Sequence, residues 1–461
     1  MDYDVIIIGA GMSGLAAGIR LAYYDRKVCI LERHHRVGGL SSFYRRKGHD
    51  IDVGLHAMTN YVPRSVKLTP LPKLLRQLKL RPEDFDLRQQ RVSVTRFPEK
   101  SLRFSNDFDL FVQEVRENFP RQIDNFQKLV KTIFEYDELA LDAKPLSARQ
   151  IVSSYITDPL LVEMLFCPLM FYGSSQENDI EFGQFVIMFK GIYHEGFARP
   201  QAGIRQILDT LVRQYESHGG HLRLKCGVQS LQVSNGKVTA LVLDNGEVLR
   251  AERIISSIGY IETLRLLSDY DPARFNCEEG RISLVEFIFV LDREPAHLGY
   301  DTTITFFNTS EKFHYQRPED LVDLSSGVIC CPNNFKFDKP LPEGMIRITS
   351  LANYQRWNDL NQEEYSEQKA AWQEKALQQA LSFVPDFRDC IVFTDMFTPK
   401  TIYRYTGHLN GAVYGAPNKV KDGRTHLDNL FLCGTDQGFL GIVGSMLSGI
   451  SMANLHVLQK T

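Results

Sequence analysis

The apolar positions at the start of the chain predict a strand, a glycine turn and a helix. The run VIIIGAGMSG is apolar and β-branched before its glycines, AAGIRLAYY continues with helical spacing, and KVCILER predicts a second strand. Together they form one βαβ unit of about 30 residues, the size of a mononucleotide-binding half. The N-terminal pattern therefore indicates a Rossmann-type α/β fold.

From Asp107 onward the pattern changes to amphipathic helices. Asp158 is placed to cap a later helix, with Pro159 at its first position. That helix is apolar nearly all round from Leu160 to Tyr172, so it is buried or faces an apolar partner. The apolar positions that define the earlier helices are Phe108, Phe111, Val112, Val115, Phe119, Ile123, Phe126, Leu129, Val130 and Ile133.

After Pro200 the strand and helix pattern of the first segment resumes. An amphipathic helix in GIRQILDTLVRQYES ends at a glycine pair, and short strands follow, joined by Asn-Gly turns at 235–236 and 245–246. Between about residues 282 and 397, the strand-like runs LVEFIFVL, TTITFFN and MIRITSL accompany one polar helix, which predicts a second sheet. The C-terminus adds a strand in LDNLFLCGTD and a glycine-opened helix in GIVGSMLSGISMANLHVL.

The charge balance and the cysteines indicate which partners and which compartment to expect. The 53 Lys and Arg face 56 Asp and Glu, and no basic stripe is present, so nucleic acid is not an expected partner. The eight cysteines are scattered without metal-ligand spacing, which predicts free thiols in a reducing compartment. His34 and His35, or Asp50 and Asp52, lack a third ligand at workable spacing, so we predict no metal.

The first strand begins within five residues of Met1, which predicts a cytoplasmic protein without a signal peptide. No stretch reaches the roughly 20 apolar residues of a membrane-spanning helix. The closest stretch is the one from Leu160 to Tyr172, which contains Glu163 and Pro168. Peripheral attachment through this apolar stretch remains an expectation.

Three glycines in the first turn carry the first chemical signal. Gly9, Gly11 and Gly14 form GxGxxG, where the backbone can approach a pyrophosphate at a helix N-terminus. Glu32 ends the second strand 18 residues after Gly14, where a carboxylate accepts from ribose hydroxyls and repels the 2'-phosphate of NADP. Taken singly, the glycines also suit a plain tight turn, and Glu32 a solvated charge.

Further motifs point to one family. A second glycine pair, Gly38-Gly39, follows Glu32 at the spacing Glu-x5-Gly-Gly, and IDVG lies beyond it. With PQAGIRQILDTL, GHLNGAVYGAP and CGTDQGFLGIVGSMLSG, these motifs make the chain resemble the phytoene desaturase and carotenoid isomerase family, which includes retinol saturase-like enzymes. The resemblance implies FAD bound by a Rossmann-type domain like that of amine oxidases. No second GxGxxG marks a separate NAD(P)H domain.

The resemblance also implies the residues that hold FAD. The first glycine turn meets the pyrophosphate, the end of the second strand meets ribose, and a backbone group before the Asn-Gly turns meets adenine. The C-terminal acid meets ribityl or pyrophosphate oxygens, and the following helix start meets the flavin, because a helix N-terminus stabilises negative charge on the reduced ring. The implied residues are Gly9, Gly11, Ser13, Gly14, Glu32, Arg33, Gly38, Gly39, Leu40, Asp52, Gly54, Leu55, His56, Val228, Gly434, Asp436, Ile442, Val443 and Gly444.

We expect two domains. The FAD-binding domain is discontinuous, from about residues 1–95, 200–280 and 420–461, and residues 96–199 and 281–419 form a mixed α+β substrate domain with a helical insertion. Candidate catalytic residues are His56, Tyr403 and His408, each of which also suits a structural hydrogen bond.

The expected function is FAD-dependent desaturation, saturation or cis/trans isomerisation of a polyene, isoprenoid or fatty-acyl chain. A hydrophobic or lipid-linked substrate would lie against the segment from Leu160 to Tyr172 and the runs FGQFVIMF and EFIFVL, although each also suits ordinary core. One alternative is an amine oxidase-type flavoenzyme. Another is an FAD-free, prenyl-binding escort protein of related fold.

Overall fold

The computed structural model describes residues 1–63, 65–138, 140, 144–275 and 277–459. The strands in this part of the chain are β1 Tyr3–Ile8, β2 Val28–Leu31, β3 Phe43–Arg46, β4 His49–Asp52, β5 Leu87–Gln89, β6 Ser93–Arg96, β7 Ser101–Phe104, β8 Ala198–Pro200, β9 His221–Arg223, β10 Val228–Ser234, β11 Lys237–Leu243, β12 Val248–Leu249, β13 Ala251–Ser256, β14 Ser283–Leu291, β15 Ile304–Asn308, β16 Val322–Cys330, β17 Gly344–Ala352, β18 Ile391–Phe397 and β19 Leu430–Leu432.

The α-helices in the same part of the chain are α1 Met12–Ala22, α2 Pro70–Gln77, α3 Pro82–Phe85, α4 Phe108–Asn118, α5 Ile123–Glu135, α6 Ala148–Tyr155, α7 Pro159–Gly173, α8 Phe182–Phe189, α9 Ile204–Ser217, α10 Tyr260–Leu264, α11 Pro272–Phe275, α12 Tyr354–Asp359, α13 Gln362–Ala380, α14 Pro399–Thr406 and α15 Gly441–Ala453.

A parallel five-stranded sheet confirms the predicted Rossmann-type fold. Its order is β19-β13-β1-β2-β9, so strands from both ends of the chain lie side by side. The last four residues of β1 and all of β2 are buried, as expected for strands covered on both faces. Helices α1, α9 and α15 contribute to the hydrophobic core beside this sheet.

The predicted Asn-Gly turns join β10, β11 and β12 into a small antiparallel sheet. Asn235 and Gly236 both have positive φ, at 50° and 73°, which a two-residue hairpin of this type requires. In the second turn only Gly246 has positive φ, at 82°. The two hairpins therefore use different turn geometries although their dipeptides are the same.

A seven-stranded mixed sheet forms the second unit, in the order β18-β14-β17-β16-β15-β6-β7. The predicted runs LVEFIFVL, TTITFFN and MIRITSL lie in β14, β15 and β17. One face of β14 packs on the core around α13 through Phe287 and Phe289. The opposite face carries Glu286, Ile288 and Val290 towards β3 and β4.

The helical insertion contains α4 to α8 and packs against the second sheet. Asp158 caps α7 as expected, accepting from the amides of Leu160 and Leu161 at 3.0 and 3.3 Å. Most of α7 is buried, and so are most residues of the FGQFVIMF segment in α8. Most side chains of both segments therefore lie in the core and are not exposed for contact with a membrane, and the lining of a substrate tunnel stays a prediction.

One helix in the described chain is long and apolar enough to cross a membrane by length and composition. It is Gly441–Leu458, where α15 continues into a π-helical turn, with a mean hydropathy of 1.3. The segment nearest to a spanning helix is therefore at the C-terminus, and not the expected one in α7. A core helix meets the same criterion, and 56% of this segment is buried.

Candidate active site

The loops after β1 and β13 meet at the carboxyl end of the parallel sheet, where folds of this class bind ligands. Gly9 has a φ of +96°, and a Cβ there would lie 2.5 Å from Ser257 Oγ. A Cβ at Gly14 would overlap the Gly9 carbonyl oxygen. A Cβ at Gly11 would have no neighbouring atom within 4 Å. The backbone at Gly11 is therefore open to a phosphate group.

Glu32 lies beside this turn at the end of β2. It is 8% exposed, its Oε2 accepts from the Ala10 amide, and its Oε1 accepts from the His34 amide, both at 2.9 Å. These amides fix the carboxylate, and each oxygen keeps a lone pair for a further donor. The alternative of a solvated charge is therefore wrong.

Two further predicted residues lie near Glu32. Cys226 donates its amide to the Glu32 carbonyl at 2.8 Å, which places Val228 two residues beyond this contact. The Arg33 guanidinium instead spans to α14, where it donates to the carbonyls of Tyr403 and Arg404 at 3.4 and 3.2 Å. In this structure Arg33 therefore joins α14 to the end of β2.

The second glycine turn packs on the first. The Gly38 amide donates to the Ala10 carbonyl at 2.9 Å, and Gly38 and Gly39 have φ of +117° and +56°. A Cβ at Gly54, whose φ is +65°, would overlap the Leu40 carbonyl oxygen. Close packing of the two backbones therefore places Leu55 and the residue after it beside the glycine turns.

Two helix N-termini open towards the same region. No side chain caps α1 at Gly11 or α15 at Leu440, so their first-turn amides are free of side-chain acceptors. The first turn of α15 contains the predicted residues Ile442, Val443 and Gly444. A Cβ at Gly434 would lie 2.9 Å from Ser13 Oγ, which shows how closely the two ends of the chain approach.

Asp436 is buried and holds protein groups with both carboxylate oxygens. Oδ2 accepts from the Tyr260 amide at 2.6 Å, and Oδ1 accepts from the Ala416 amide at 2.8 Å. Lys419 Nζ lies 3.9 Å from Oδ1, and burial lowers the pKa of Lys419 to about 8. Asp436 therefore joins three loops, and a direct contact with a cofactor stays a prediction.

Asp52 is paired inside the protein. Its Oδ2 lies 2.5 Å from the Arg199 guanidinium, and its Oδ1 accepts from the Ile204 amide at 3.3 Å. Both side chains of the ion pair are buried. The pair holds Asp52 in place, and a contact between Asp52 and a cofactor, as the resemblance implied, stays a prediction.

His56 lies against the second sheet. Its Nε2 is 3.0 Å from Thr349 Oγ1 and 3.5 Å from Glu286 Oε2, and Glu286 pairs with Arg347. Burial would raise the pKa of Glu286, but the positive charge of Arg347 outweighs this effect and lowers the pKa. The Leu55 carbonyl accepts from both Arg199 and Arg347, at 2.6 and 3.0 Å. Two buried cations therefore fix the segment that carries His56.

The other two candidate catalytic residues lie in and after α14. Tyr403 is 41% exposed, and its ring packs edge-on against Tyr354 at 5.6 Å. His408 Nδ1 lies 3.7 Å from Glu262 Oε1. Burial would lower the pKa of His408, but its hydrogen bond to Glu262 outweighs this effect and raises the pKa. Neither residue contacts His56 in the described structure, so the three candidates do not form one constellation.

The donors and acceptors at the carboxyl end of the sheet fit FAD. An open glycine turn and an uncapped helix start suit a pyrophosphate, the fixed Glu32 carboxylate suits ribose hydroxyls, and the uncapped start of α15 suits the flavin. The described residues contain no group of three or more His, Cys, Asp or Glu that could hold a metal ion.

Several residues of the site were missed from the sequence. They are polar and buried or half-buried, and two of them interrupt strands that are otherwise apolar, Glu286 in LVEFIFVL and Arg347 in MIRITSL. A charge inside a buried strand is expected to find a partner, so this signal was available. The partners of these charges could not be identified from the sequence, because β4, β8, β14 and β17 come together only in the folded chain. The missed residues are Arg199, Ser257, Glu262, Glu286, Arg347, Thr349 and Lys419.

Comparison with known proteins gives the same family over nearly the whole chain. The family model described as flavin containing amine oxidoreductase matches residues 12–455. Prolycopene isomerase 2, chloroplastic, from an Oncidium hybrid cultivar is 22% identical over 98% of this chain and 83% of its own. The 4,4'-diaponeurosporene oxygenase of Staphylococcus aureus is 23% identical over 90% of this chain and 88% of its own.

A solved structure shares the fold. The crystal structure of an oxidoreductase from Methanosarcina mazei has a TM-score of 0.68 to this chain. The two are 16% identical, and the match covers 97% of this chain and 99% of the other. At this identity the likeness shows the fold alone, which agrees with the sheet order described above.

Proposed function

The chain belongs to the flavin-containing amine oxidoreductase family and is an FAD-dependent oxidoreductase, and we propose that it acts on carbon-carbon bonds of a hydrophobic polyene, isoprenoid or fatty-acyl substrate. The reaction would be a desaturation, a saturation or a cis/trans isomerisation. The observation that carries the proposal is the similarity, over 90% or more of the chain, to proteins named as a carotenoid isomerase and a diaponeurosporene oxygenase.

The geometry of the glycine turns supports a definite assignment of FAD-binding residues. We assign the pyrophosphate to Gly11 and the start of α1, the adenosine ribose to Glu32, and adenine to the backbone at Val228. The flavin would lie between the turn at Gly39 and the start of α15. When bound, FAD accepts or donates a hydride, and the chain's own residues position the substrate and move protons.

Anaerobic flavin bleaching tests the proposed substrate class. Purified holoenzyme is mixed with carotenoid polyenes, isoprenoid alcohols and fatty-acyl chains, and in parallel with aliphatic polyamines and aryl amines. For a desaturation, bleaching by a polyene or isoprenoid is expected, and for a saturation the reduced flavin is expected to reoxidise. Isomerisation is followed by chromatography of the polyene. Bleaching by amines, with unchanged polyenes, would favour the amine oxidase alternative that the family name allows.

We include peripheral membrane contact in the proposal, because such a substrate partitions into bilayers. Most of α7 is buried, so the contact would use exposed apolar side chains of the helical insertion, Phe134 at 42% and Leu146 at 47%. Liposome flotation of a Phe134→Ser/Leu146→Ser double variant should lose bound protein, whereas the control Val392→Ser should not. Equal recovery of all three proteins in the soluble fraction would contradict the contact.

The compartment is also part of the proposal. All eight cysteines are free, in keeping with the predicted reducing cytoplasm. Fractionation of the native host by ultracentrifugation would test this prediction, and recovery of the protein in an oxidising compartment would contradict it.

A further inference from the structure

The hydrogen bonds around His56 select one form of its imidazole ring. Thr349 Oγ1 donates to Glu286 Oε2 at 3.4 Å and lies 3.0 Å from His56 Nε2. The Glu286 carboxylate faces Nε2 at 3.5 Å and would repel a lone pair there, so it favours a hydrogen on Nε2, from which the Thr349 hydroxyl can accept while it donates to the carboxylate. The geometry therefore places the ring hydrogen on Nε2 and leaves Nδ1 as a lone pair.

The charges around the ring come from four strands. Glu286 on β14 and Arg347 on β17 form one buried ion pair, and Asp52 on β4 and Arg199 on β8 form another. Burial lowers the pKa of His56, and the positive charges of both arginines act in the same direction against the raising effect of Glu286. The ring is consequently neutral at pH 7.

Two further side chains, from β16 and α7, pack against the segment that contains His56. Cys330 Sγ on β16 donates to the His56 carbonyl at 3.8 Å, and burial raises the pKa of this thiol to about 11, so it stays protonated. Burial also raises the pKa of the Tyr172 hydroxyl on α7, which lies near the Ala57 amide and Cys330. This hydroxyl has no hydrogen-bond partner among the described residues.

One edge of the ring, at Nδ1, is left open. No described residue forms a hydrogen bond to Nδ1, and 15% of the His56 side chain remains accessible although burial dominates its pKa. The same segment packs on the second glycine turn through Gly54 and Leu40. The open lone pair at Nδ1 thus belongs to the segment that packs beside the turn assigned to the flavin, and the Tyr172 hydroxyl lies near the amide of the next residue, Ala57.

We propose that His56 is the proton acceptor of the active site, with Nδ1 as the base and with Glu286 and Thr349 as positioning residues that hold the hydrogen on Nε2. This inference rests on the proposed function. In a desaturation, bound FAD would supply the two-electron oxidation by taking the hydride of one C–H bond. His56 Nδ1 would take the proton of the neighbouring C–H bond, whose electron pair would form the C=C bond. A saturation runs through the same groups in reverse.

The tautomer is tested first, without any substrate. Holoenzyme labelled with 15N-histidine is measured by long-range ¹H–¹⁵N NMR at pH 7.5, and the His56 signals are assigned with His56→Gln. Shifts typical of an Nε2–H, Nδ1-unprotonated ring are expected. An Nδ1–H ring would overturn the inference. Thr349→Val removes one acceptor at Nε2 and should reduce the Nε2–H fraction, whereas Thr349→Ser keeps the hydroxyl and should restore it.

The role as base is tested by anaerobic flavin reduction with the substrate found by bleaching. His56→Gln should slow reduction by about 100-fold or more, the usual effect of losing a general base, and should remove the acid limb of the pH profile. In Glu286→Asp the acid limb should move, because the carboxylate that raises the pKa of His56 shifts position. FAD affinity should stay within about threefold, which separates a chemical role from a binding role.

His49→Gln is the matched control, because His49 also pairs with a glutamate, Glu343 at 2.6 Å, but outside the site. It should reduce its flavin at the wild-type rate. Reduction of His56→Gln at the wild-type rate with the acid limb retained would overturn the inference. If no polyene, isoprenoid or acyl chain reacts with the wild-type enzyme, the proposed function fails instead, and the NMR result still decides the tautomer.

Discussion

At the scale of single residues, Glu32 is the position of the cofactor site where a small change of side chain is expected to matter most. Two backbone amides hold its carboxylate, at 2.9 Å each, so it is fixed before any ligand arrives. Glutamine at this position keeps the size but offers one oxygen fewer, so an NH2 group would face one of the amides or the ribose. The site is therefore sensitive to the exchange of one oxygen for an NH2 group.

Glu32→Gln should weaken FAD binding by roughly 10- to 100-fold, since a hydrogen bond to a charged group contributes about 1.5 to 3 kcal/mol. Titration of the apoprotein with FAD, followed by fluorescence, measures this affinity. The exposed Glu216→Gln serves as control and should bind like the wild type. An unchanged affinity of Glu32→Gln would place the ribose elsewhere.

The pair of His408 and Glu262 gives a pH-dependent contribution to stability. The folded pKa of His408 is raised above its unfolded value of about 6.5, because the bond to Glu262 outweighs burial. The stabilisation is therefore fully present below about pH 6.5 and is lost as the pH rises through the folded pKa. The thermal midpoint of the wild type should be higher than that of His408→Gln, and this difference should be larger at pH 6 than at pH 9. Equal differences at both values, in the same buffer series, would contradict the charged pair.

At the scale of elements, the crossing of α1 and α15 connects the two ends of the chain. A Cβ at Gly449 would overlap the Ser13 carbonyl oxygen and lie 3.1 Å from the Ala17 amide nitrogen, and both of these atoms belong to the backbone. Backbone cannot move aside as a flexible side chain can. The glycine therefore sets the distance between two helices whose starts face the cofactor site.

Gly449→Ala should lower the thermal midpoint by several degrees and reduce FAD occupancy, because the helices must separate at about 1 to 3 kcal/mol of overpacking cost. The half-buried Ser451→Ala on the same helix is the control and should change little. Scanning calorimetry and the flavin-to-protein absorbance ratio provide the measurements. Normal occupancy with a normal midpoint would show that the crossing tolerates a methyl group.

At the scale of the whole molecule, FAD should be held without a covalent bond. No Cys or His occurs in the turn from Gly38 to Ser42 or in the first turn of α15, between which the flavin would lie, and burial raises the pKa of nearby Cys433 to about 12, which keeps that thiol unreactive. Acid precipitation should release all flavin into the supernatant, where absorbance at 450 nm quantifies it. Flavin that stays with the precipitate would contradict this prediction.

The sequence by itself determined the parts whose physics is local. A β-branched run before GxGxxG, an Asp-Pro helix start at Asp158, and Asn-Gly turns each depend on neighbouring residues only, and the structure has a strand, a cap and hairpins there. The Rossmann-type sheet, its assembly from both ends of the chain and the family could be predicted for the same reason. The glycine motifs that indicate them are short stretches of sequence, which can be recognised without knowing the tertiary structure.

Only the tertiary structure decided which distant groups meet. Residues 52, 199, 286 and 347 pair across four strands, and no spacing along the chain encodes such partners. Likewise, an apolar helix such as α7 has the same composition whether it lines a tunnel or fills a core, and only packing against the second sheet made it core. The orientation of His56 belongs to this class, since it depends on Thr349 and Glu286 lying on one face of adjacent strands.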